Sequence, residues 1–291
     1  MASERRYDPV TGQYTTGHQW DGIEELSTPL PRWWVISLVV CFIIAIIYAF
    51  LYPAWPTTKT YYTGLLGWTS HSELAEYQTE ARAGQAHWRE QIAANTVGDI
   101  AASDDLRTFA VAGGKALFNE NCAGCHGIGA GGQQGQFPSL IDDDWLWGGT
   151  LDDIYQTVTH GIRNTDESSR QSEMPSFKDM MSEEEIAATA KFVLAMSDTS
   201  VSAETRNAMP GAELYTNNCA GCHGAEGEGM RMMGVPALAD QIWLYGETEE
   251  AIRNQIVRPK MGSMPAWGGR LGDDAVKMLS VYVHSLGGGE K

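Results

Sequence analysis

The sequence predicts a mainly α-helical chain: one N-terminal transmembrane helix followed by two tandem small domains of a single fold. Three observations predict it. The run Trp33–Tyr52 contains no charged residue. The motif Cys-x-x-Cys-His occurs twice, at residues 122–126 and 219–223. The residues around the first copy also align with those around the second.

Residues 1–30 are polar and show no pattern of a packed domain, so they read as an N-terminal segment on the cytoplasmic side. Residues 31–56 are the anchor. Twenty apolar residues in an α-helix rise about 30 Å, the depth of a bilayer's hydrocarbon core. Trp33, Trp34, Tyr48, Tyr52 and Trp55 stand towards the ends, where amphipathic rings favour the headgroup zone, and Pro53 and Pro56 stop the helix. A cleaved signal peptide would begin nearer residue 1 and end in small residues. A buried core helix is rarely apolar all round. Arg5, Arg6 and Arg32 precede the span, whereas Lys59 alone follows closely. The positive-inside bias therefore places the N-terminus in the cytoplasm and the rest of the chain outside.

Residues 57–107 read as a periplasmic linker holding one helix from about Ser72 to Ala94, with Ser70-x-x-Glu73 as its capping box. The two domains are expected at 108–199 and 204–291. Gly114-Lys-Ala-Leu-Phe aligns with Gly211-Ala-Glu-Leu-Tyr, Pro138-Ser-Leu with Pro236-Ala-Leu, Trp145-Leu-Trp-Gly with Trp243-Leu-Tyr-Gly, and Met174-Pro-Ser-Phe with Met264-Pro-Ala-Trp. Each copy closes with a helix. Ser182 is placed to cap the first, ahead of Glu183, Glu184 and Glu185, where acids suit the helix dipole. Val276, Leu279, Val283 and Leu286 recur at helical spacing in the second. Domains this small bury little surface of their own.

The repeated motif supplies a core. Two cysteines three residues apart bond the two vinyl groups on one edge of a haem, and the histidine that follows lies under the iron. Cys122 and Cys125 are thus assigned to one haem with His126 on its iron, and Cys219 and Cys222 to a second with His223. Read as zinc ligands, the four cysteines would pool into one site and leave both histidines idle. Read as redox disulfides, they would also leave the histidines unexplained. Of the five cysteines, only Cys41 lies outside the motifs, in the apolar run. Met174 and Met264, each followed by proline at matched positions, are the expected sixth ligands, the first for the first domain's iron and the second for the second's. A neutral thioether favours ferrous over ferric iron, and a six-coordinate His/Met iron suits electron transfer. The plainer reading makes both methionines core filler. His160 is the rival of Met174, and Met261 the rival of Met264. Arg163 in one copy, and Arg253 and Arg258 in the other, are available to haem carboxylates. The Pro138 and Pro236 carbonyls are placed to orient the histidines.

The formal charge of −17 argues against nucleic acid as a partner. The acids concentrate in the first repeat: residues 113–197 hold 13 acids and 5 bases, and residues 204–291 hold 11 and 8. Such a surface steers a basic partner, or simply keeps the chain soluble.

With these residues in place, the chain resembles the dihaem subunit III of the cbb3-type cytochrome c oxidases. The sharper match lies in Asp21-Gly-Ile-Glu-Glu-Leu26 through Pro29-Leu-Pro-Arg-Trp-Trp34, then Gly64-Leu-Leu-Gly-Trp68. The resemblance implies one transmembrane helix plus two tandem class I cytochrome c domains and two covalently bound haem c groups. It implies a single-pass protein of the inner membrane with its haem domains in the periplasm. Electrons would come from a donor cytochrome c and go on to the monohaem cytochrome c subunit and the haem–copper catalytic subunit. Oxygen reduction and proton pumping would belong to those other subunits, so this chain is not expected to be an enzyme on its own. A free-standing anchored dihaem carrier and a dihaem peroxidase are the competing readings.

Overall fold

The computed structural model describes residues 4–290 and comprises two compact units, divided between Gly84 and Gln85. The N-terminal unit opens on a three-stranded antiparallel sheet, β1 (Tyr7–Asp8), β2 (Gln13–Trp20) and β3 (Ile23–Leu26), in the order β1-β2-β3. The sheet is mostly exposed, so residues 1–30 form no packed domain, but the strands themselves were not expected. Trp20 faces Ile23 across a two-residue turn, Asp21-Gly22, with φ of 49° and 84°. Two positive φ values in succession make the tight hairpin turn that Asp-Gly favours. That dipeptide was the available signal, and the flanking residues are too polar to reinforce it.

Helix α1 (Arg32–Leu51) follows, with no side chain buried within the protein and a mean hydropathy of 2.9. Its last turn is finished by the chain that comes after it. Leu65 N donates to Phe50 O at 3.0 Å and Leu66 N to Leu51 O at 3.1 Å. Trp68 meets Tyr52 edge-on at 5.8 Å. Terminal carbonyls of a helix lack partners in their own ladder, so this turn-back has a clear use.

Helix α2 runs over Ser70–Ala94. Its cap is Thr69 with Ser72, through Ser72 N to Thr69 Oγ1 at 3.0 Å and Thr69 N to Ser72 Oγ at 3.2 Å, rather than Ser70 with Glu73. The C-terminal unit continues with α3 (Val97–Ala102), α4 (Asp104–Asn121), α5 (Ala123–His126), α6 (Leu151–His160), α7 (Glu183–Ser197), α8 (Ala203–Asn207), α9 (Gly211–Asn218), α10 (Ala220–His223), α11 (Glu249–Val257), α12 (Gly268–Leu271) and α13 (Asp273–His284). The Ser182/Glu185 box caps α7, as its sequence suggests. The expected linker does not end at residue 107: Ile92, Ile100, Leu106 and Ala110 pack with Met278 and Val281 of α13, and Lys277 Nζ donates to Ala93 O at 2.9 Å. A lysine on the last carbonyls of α2 suits the helix dipole.

The two repeats exchange their closing halves. One core joins Phe118, Ala130, Ile154 and Val158 of the first repeat to Val276, Leu279, Tyr282 and Val283 of the second. The other joins Phe177, Ile186, Phe192 and Val193 of the first to Tyr215, Ile252 and Ile256 of the second. The swap is symmetric in detail: Trp267 N donates to Val158 O, and its counterpart Phe177 N donates to Ile256 O, both at 3.1 Å. The ranges 108–199 and 204–291 therefore mark repeats in sequence, and each compact core in space draws on both. Burying Val276, Leu279 and Val283 contributes roughly 1.5–3 kcal/mol per side chain, and all three now stabilise the opposite repeat.

Matched glycines permit the exchange. A Cβ on Gly114 would sit 2.3 Å from Met278 O of α13, and one on Gly211 would sit 2.2 Å from Ala188 O of α7. Each lets the first helix of one repeat touch the last helix of the other. Gly114→Ala and Gly211→Ala are therefore expected to destabilise by about 1–3 kcal/mol each, although alanine is the better helix former. Denaturant unfolding of the haem-loaded chain measures this; unchanged midpoints would contradict the close approach.

Candidate cofactor site

At each motif the preceding helix gives way to one further helical turn. Cys122 N donates to Phe118 O at 2.8 Å, Cys125 N to Cys122 O at 3.1 Å and His126 N to Cys122 O at 3.0 Å. The second copy repeats these bonds at 2.8, 3.1 and 2.9 Å through Cys219, Cys222 and His223. Residues three apart on a helical turn share a face, so both thiols of a pair lie on one side. Cys122 and Cys219 are half-buried, whereas Cys125 and Cys222 are exposed.

The histidines are oriented identically. His126 Nδ1 donates to Pro138 O at 3.1 Å and His223 Nδ1 to Pro236 O at 3.0 Å, as the proline positions suggested. A proton on Nδ1 leaves the Nε2 lone pair as the metal-binding position. Glycine makes this bond possible. A Cβ on Gly132 would lie 2.6 Å from Pro138 C, and one on Gly229 2.8 Å from Pro236 C. Burial pulls both imidazoles below their ordinary range, more strongly than the proline carbonyl raises them, and keeps them neutral.

The methionines are placed differently from expectation. Met264 packs on the core that holds Cys122, with Leu140 and Trp145. Met174 packs on the core that holds Cys219, with Leu238 and Trp243. Each methionine therefore sits with the other repeat's motif, a direct consequence of the exchanged halves. Among their rivals, His160 turns to Asp166, Nδ1 to Oδ1 at 3.0 Å, and Met261 Sδ accepts from Met174 N at 3.3 Å.

A haem fits this arrangement at both sites. A cavity of about 730 Å³ is lined by both motifs, both methionines and mostly apolar side chains, a size and character typical of cofactor pockets. Trp147 Nε1 and Thr189 Oγ1, both on that lining, are buried polar atoms with no partner among the described residues. They are donors suited to acceptor oxygens on a bound group. The cysteine chemistry agrees. Burial, with a smaller contribution from the neighbouring cysteine, pushes the Cys122 and Cys219 thiols up to about 11 in each case. A protonated thiol is a slow redox nucleophile. Among the described residues no three His, Cys, Asp or Glu side chains converge as a metal-ion site, and the cysteines form no disulfide.

Sequence reasoning missed Trp147 and Thr189, because an unpartnered donor is visible only once the packing is known. Arg163, expected to be available to a haem carboxylate, lines the cavity, and its guanidinium also donates from Nε to Gly262 O at 2.7 Å and from Nη1 to Ser172 O at 3.1 Å.

Comparison with known proteins agrees along the whole chain. Residues 12–59 match the family described as the N-terminal domain of cytochrome oxidase-cbb3, FixP, residues 111–197 match cytochrome c, and residues 206–283 match cytochrome C oxidase, cbb3-type, subunit III. The chain is 50% identical over 292 residues to the cbb3-type cytochrome c oxidase subunit FixP of Sinorhizobium medicae (strain WSM419), covering 100% of both chains. It is 49% identical to the FixP subunit of Rhizobium meliloti (strain 1021), again over 100% of both. It is 43% identical to the CcoP subunit of Azospirillum sp. (strain B510), covering 97% of this chain and 98% of that one.

On the cavity wall, burial and the charges of Asp240 and Asp142 hold the Asp144 carboxyl up at about 6, against a partial pull from Arg231. A raised folded pKa means that this group favours the fold below about pH 4, and that its contribution is lost as pH rises through 6. Asp144→Asn is expected to raise the melting temperature by roughly 2 °C at pH 8 and to change it little at pH 4. Thermal scans at the two pH values check the sign.

Proposed function

Because the chain belongs to the family of FixP and CcoP subunits of cbb3-type cytochrome c oxidases, we propose that it is the membrane-anchored dihaem electron carrier of such an oxidase. Cys122 and Cys125 bind one haem c covalently, and Cys219 and Cys222 bind the other. His126 and Met264 hold the first iron, and His223 and Met174 the second. The observation that carries this reading is the packing of each methionine against the opposite motif, on a shared apolar wall.

A haem held at each site supplies a one-electron iron couple. The chain's own residues set the conditions. His126 and His223 are presented with Nε2 unprotonated by their proline carbonyls. With haem bound, the Met264 and Met174 thioethers would serve as further iron ligands and would favour the reduced state, which suits electron transfer rather than oxygen chemistry. The apolar lining keeps water away and limits reorganisation when charge moves.

The chain takes electrons from a donor cytochrome c and passes them to the monohaem cytochrome c subunit and the haem–copper catalytic subunit, which reduces oxygen to water. Helix α1 crosses the inner membrane, with the N-terminus in the cytoplasm and the haem-bearing unit in the periplasm. Arginines before the span and the extracytoplasmic chemistry of haem attachment support that orientation. Residues 12–59, matched to the FixP N-terminal domain, enclose the span and are the part that docks on the rest of the oxidase.

Met264→His is expected to lower one midpoint potential by well over ~60 mV, the size of a tenfold one-electron shift. Paramagnetic NMR then assigns the ligand methyl signal lost: it belongs to the haem bonded to Cys122 and Cys125. Its assignment to the Cys219 and Cys222 haem would restore the tandem pairing. After gentle solubilisation, copper and haem b are expected to co-purify with the chain; their absence would favour a free-standing carrier. Salt is expected to slow reduction by a basic donor, because it screens the −17 charge, and rates independent of salt would remove steering.

A further inference from the structure

The two exchanged segments cross at one place. Ile162 N donates to Met264 O and Met264 N to Ile162 O, both at 2.9 Å, forming an isolated antiparallel bridge. Arg163 lies next to the bridge in a left-handed backbone conformation, φ 48°. A non-glycine residue rarely adopts that conformation unless its surroundings enforce it. Here they do: Arg163 N donates to Arg170 O at 2.9 Å, and Arg163 O accepts from Ser263 Oγ at 3.0 Å.

The side chain then makes two bonds of matched meaning. Arg163 Nε donates to Gly262 O, two residues before Met264. Arg163 Nη1 donates to Ser172 O, two residues before Met174. The same guanidinium thus holds both methionine loops at the same offset. The planar fork suits this task, since its donors are fixed relative to one another, whereas a lysine offers a single point charge.

We infer that Arg163 is a positioning residue shared by both haem sites, fixing the loops that present Met264 and Met174 to their irons and so setting both potentials together. This rests on the ligand assignment proposed above. A thioether is a weak ligand whose bond to iron depends on where its loop is held, and groups behind the ligands tune a metal nearly as much as the ligands do. Asn164 supplies the contrast. Its Nδ2 donates to Met264 O at 2.7 Å and to His160 O at 2.9 Å, and its Oδ1 accepts from Asp166 N at 2.7 Å, so of the two methionine loops its side chain bonds only that of Met264.

The test uses the haem-loaded, full-length chain. The absorption band of methionine bound to ferric haem is measured first in the unsubstituted protein. Its absence there would fail the ligand assignment itself, before Arg163 is at issue. With the band present, Arg163→Gln is expected to weaken it and to lower both midpoints by a tenfold or greater equilibrium shift, ~59 mV or more for each haem. Arg163→Lys keeps the charge but not the fork and is expected to lower both potentials as well. Asn164→Ala is expected to move only the haem that Met264 serves. If Arg163→Lys matches the unsubstituted protein, or if Arg163→Gln moves one haem or none, the shared clamp is overturned. Arg163→Lys and Asn164→Ala decide the matter even if Arg163→Gln fails to take up haem.

Discussion

The haem-bearing unit depends on one reciprocal exchange, in which the closing helix of each repeat packs on the opening helix of the other. The contact of α13 with α4 and α6, and that of α7 with α9 and α11, replace the contacts each repeat would have made within itself. Because the repeats are alike, the apolar surface buried is nearly the same in either arrangement. What changes is connectivity: two bodies that would otherwise be joined by the short stretch 198–207 become a single interlocked one. Opening it requires both cores to come apart, so the two sites are held at a constant relation without a large dedicated interface. For the dihaem carrier proposed above, a constant relation between the two centres is the property that matters.

The sites themselves use small, repeated devices. A glycine turn carries a proline carbonyl onto the histidine. The carbonyl fixes the ring tautomer, and burial keeps the ring neutral. The same three features occur in both repeats with nearly the same distances. The methionine loops are less alike. One is bridged to Ile162 and bonded by Asn164, whereas the other is tied through Met261 Sδ and Ser176, whose Oγ donates to Val257 O at 2.7 Å.

The N-terminal unit solves another problem. The last carbonyls of a helix lack partners in their own ladder, and this helix buries no side chain in the protein that could hold its end in place. The Gly64–Trp68 turn supplies donors to its last carbonyls and a tryptophan to its last tyrosine. The hairpin before the span and this turn after it fall in or beside the segment matched to the FixP N-terminal domain. The sequence features that resembled the oxidase subunit thus have a structural reason beyond recognition of a partner.

Cofactor class, repeat and span were all legible in the chain, because each is written in local spacing. Cys-x-x-Cys-His needs only one helical turn to act, a membrane helix needs only length and apolarity, and the Ser182/Glu185 cap involves residues three apart. The Asp21-Gly22 hairpin was also written locally, but polar flanks hid it. Which methionine meets which motif was not legible. Tandem and exchanged repeats satisfy the same hydrophobic pattern, and the choice lies in the path of the chain after His160 and after Val257. That path is held by bonds between residues about a hundred positions apart, such as Arg163 to Gly262 and Ile162 to Met264. Spacing along a sequence carries no information about contacts of that range, so only the folded chain decided them.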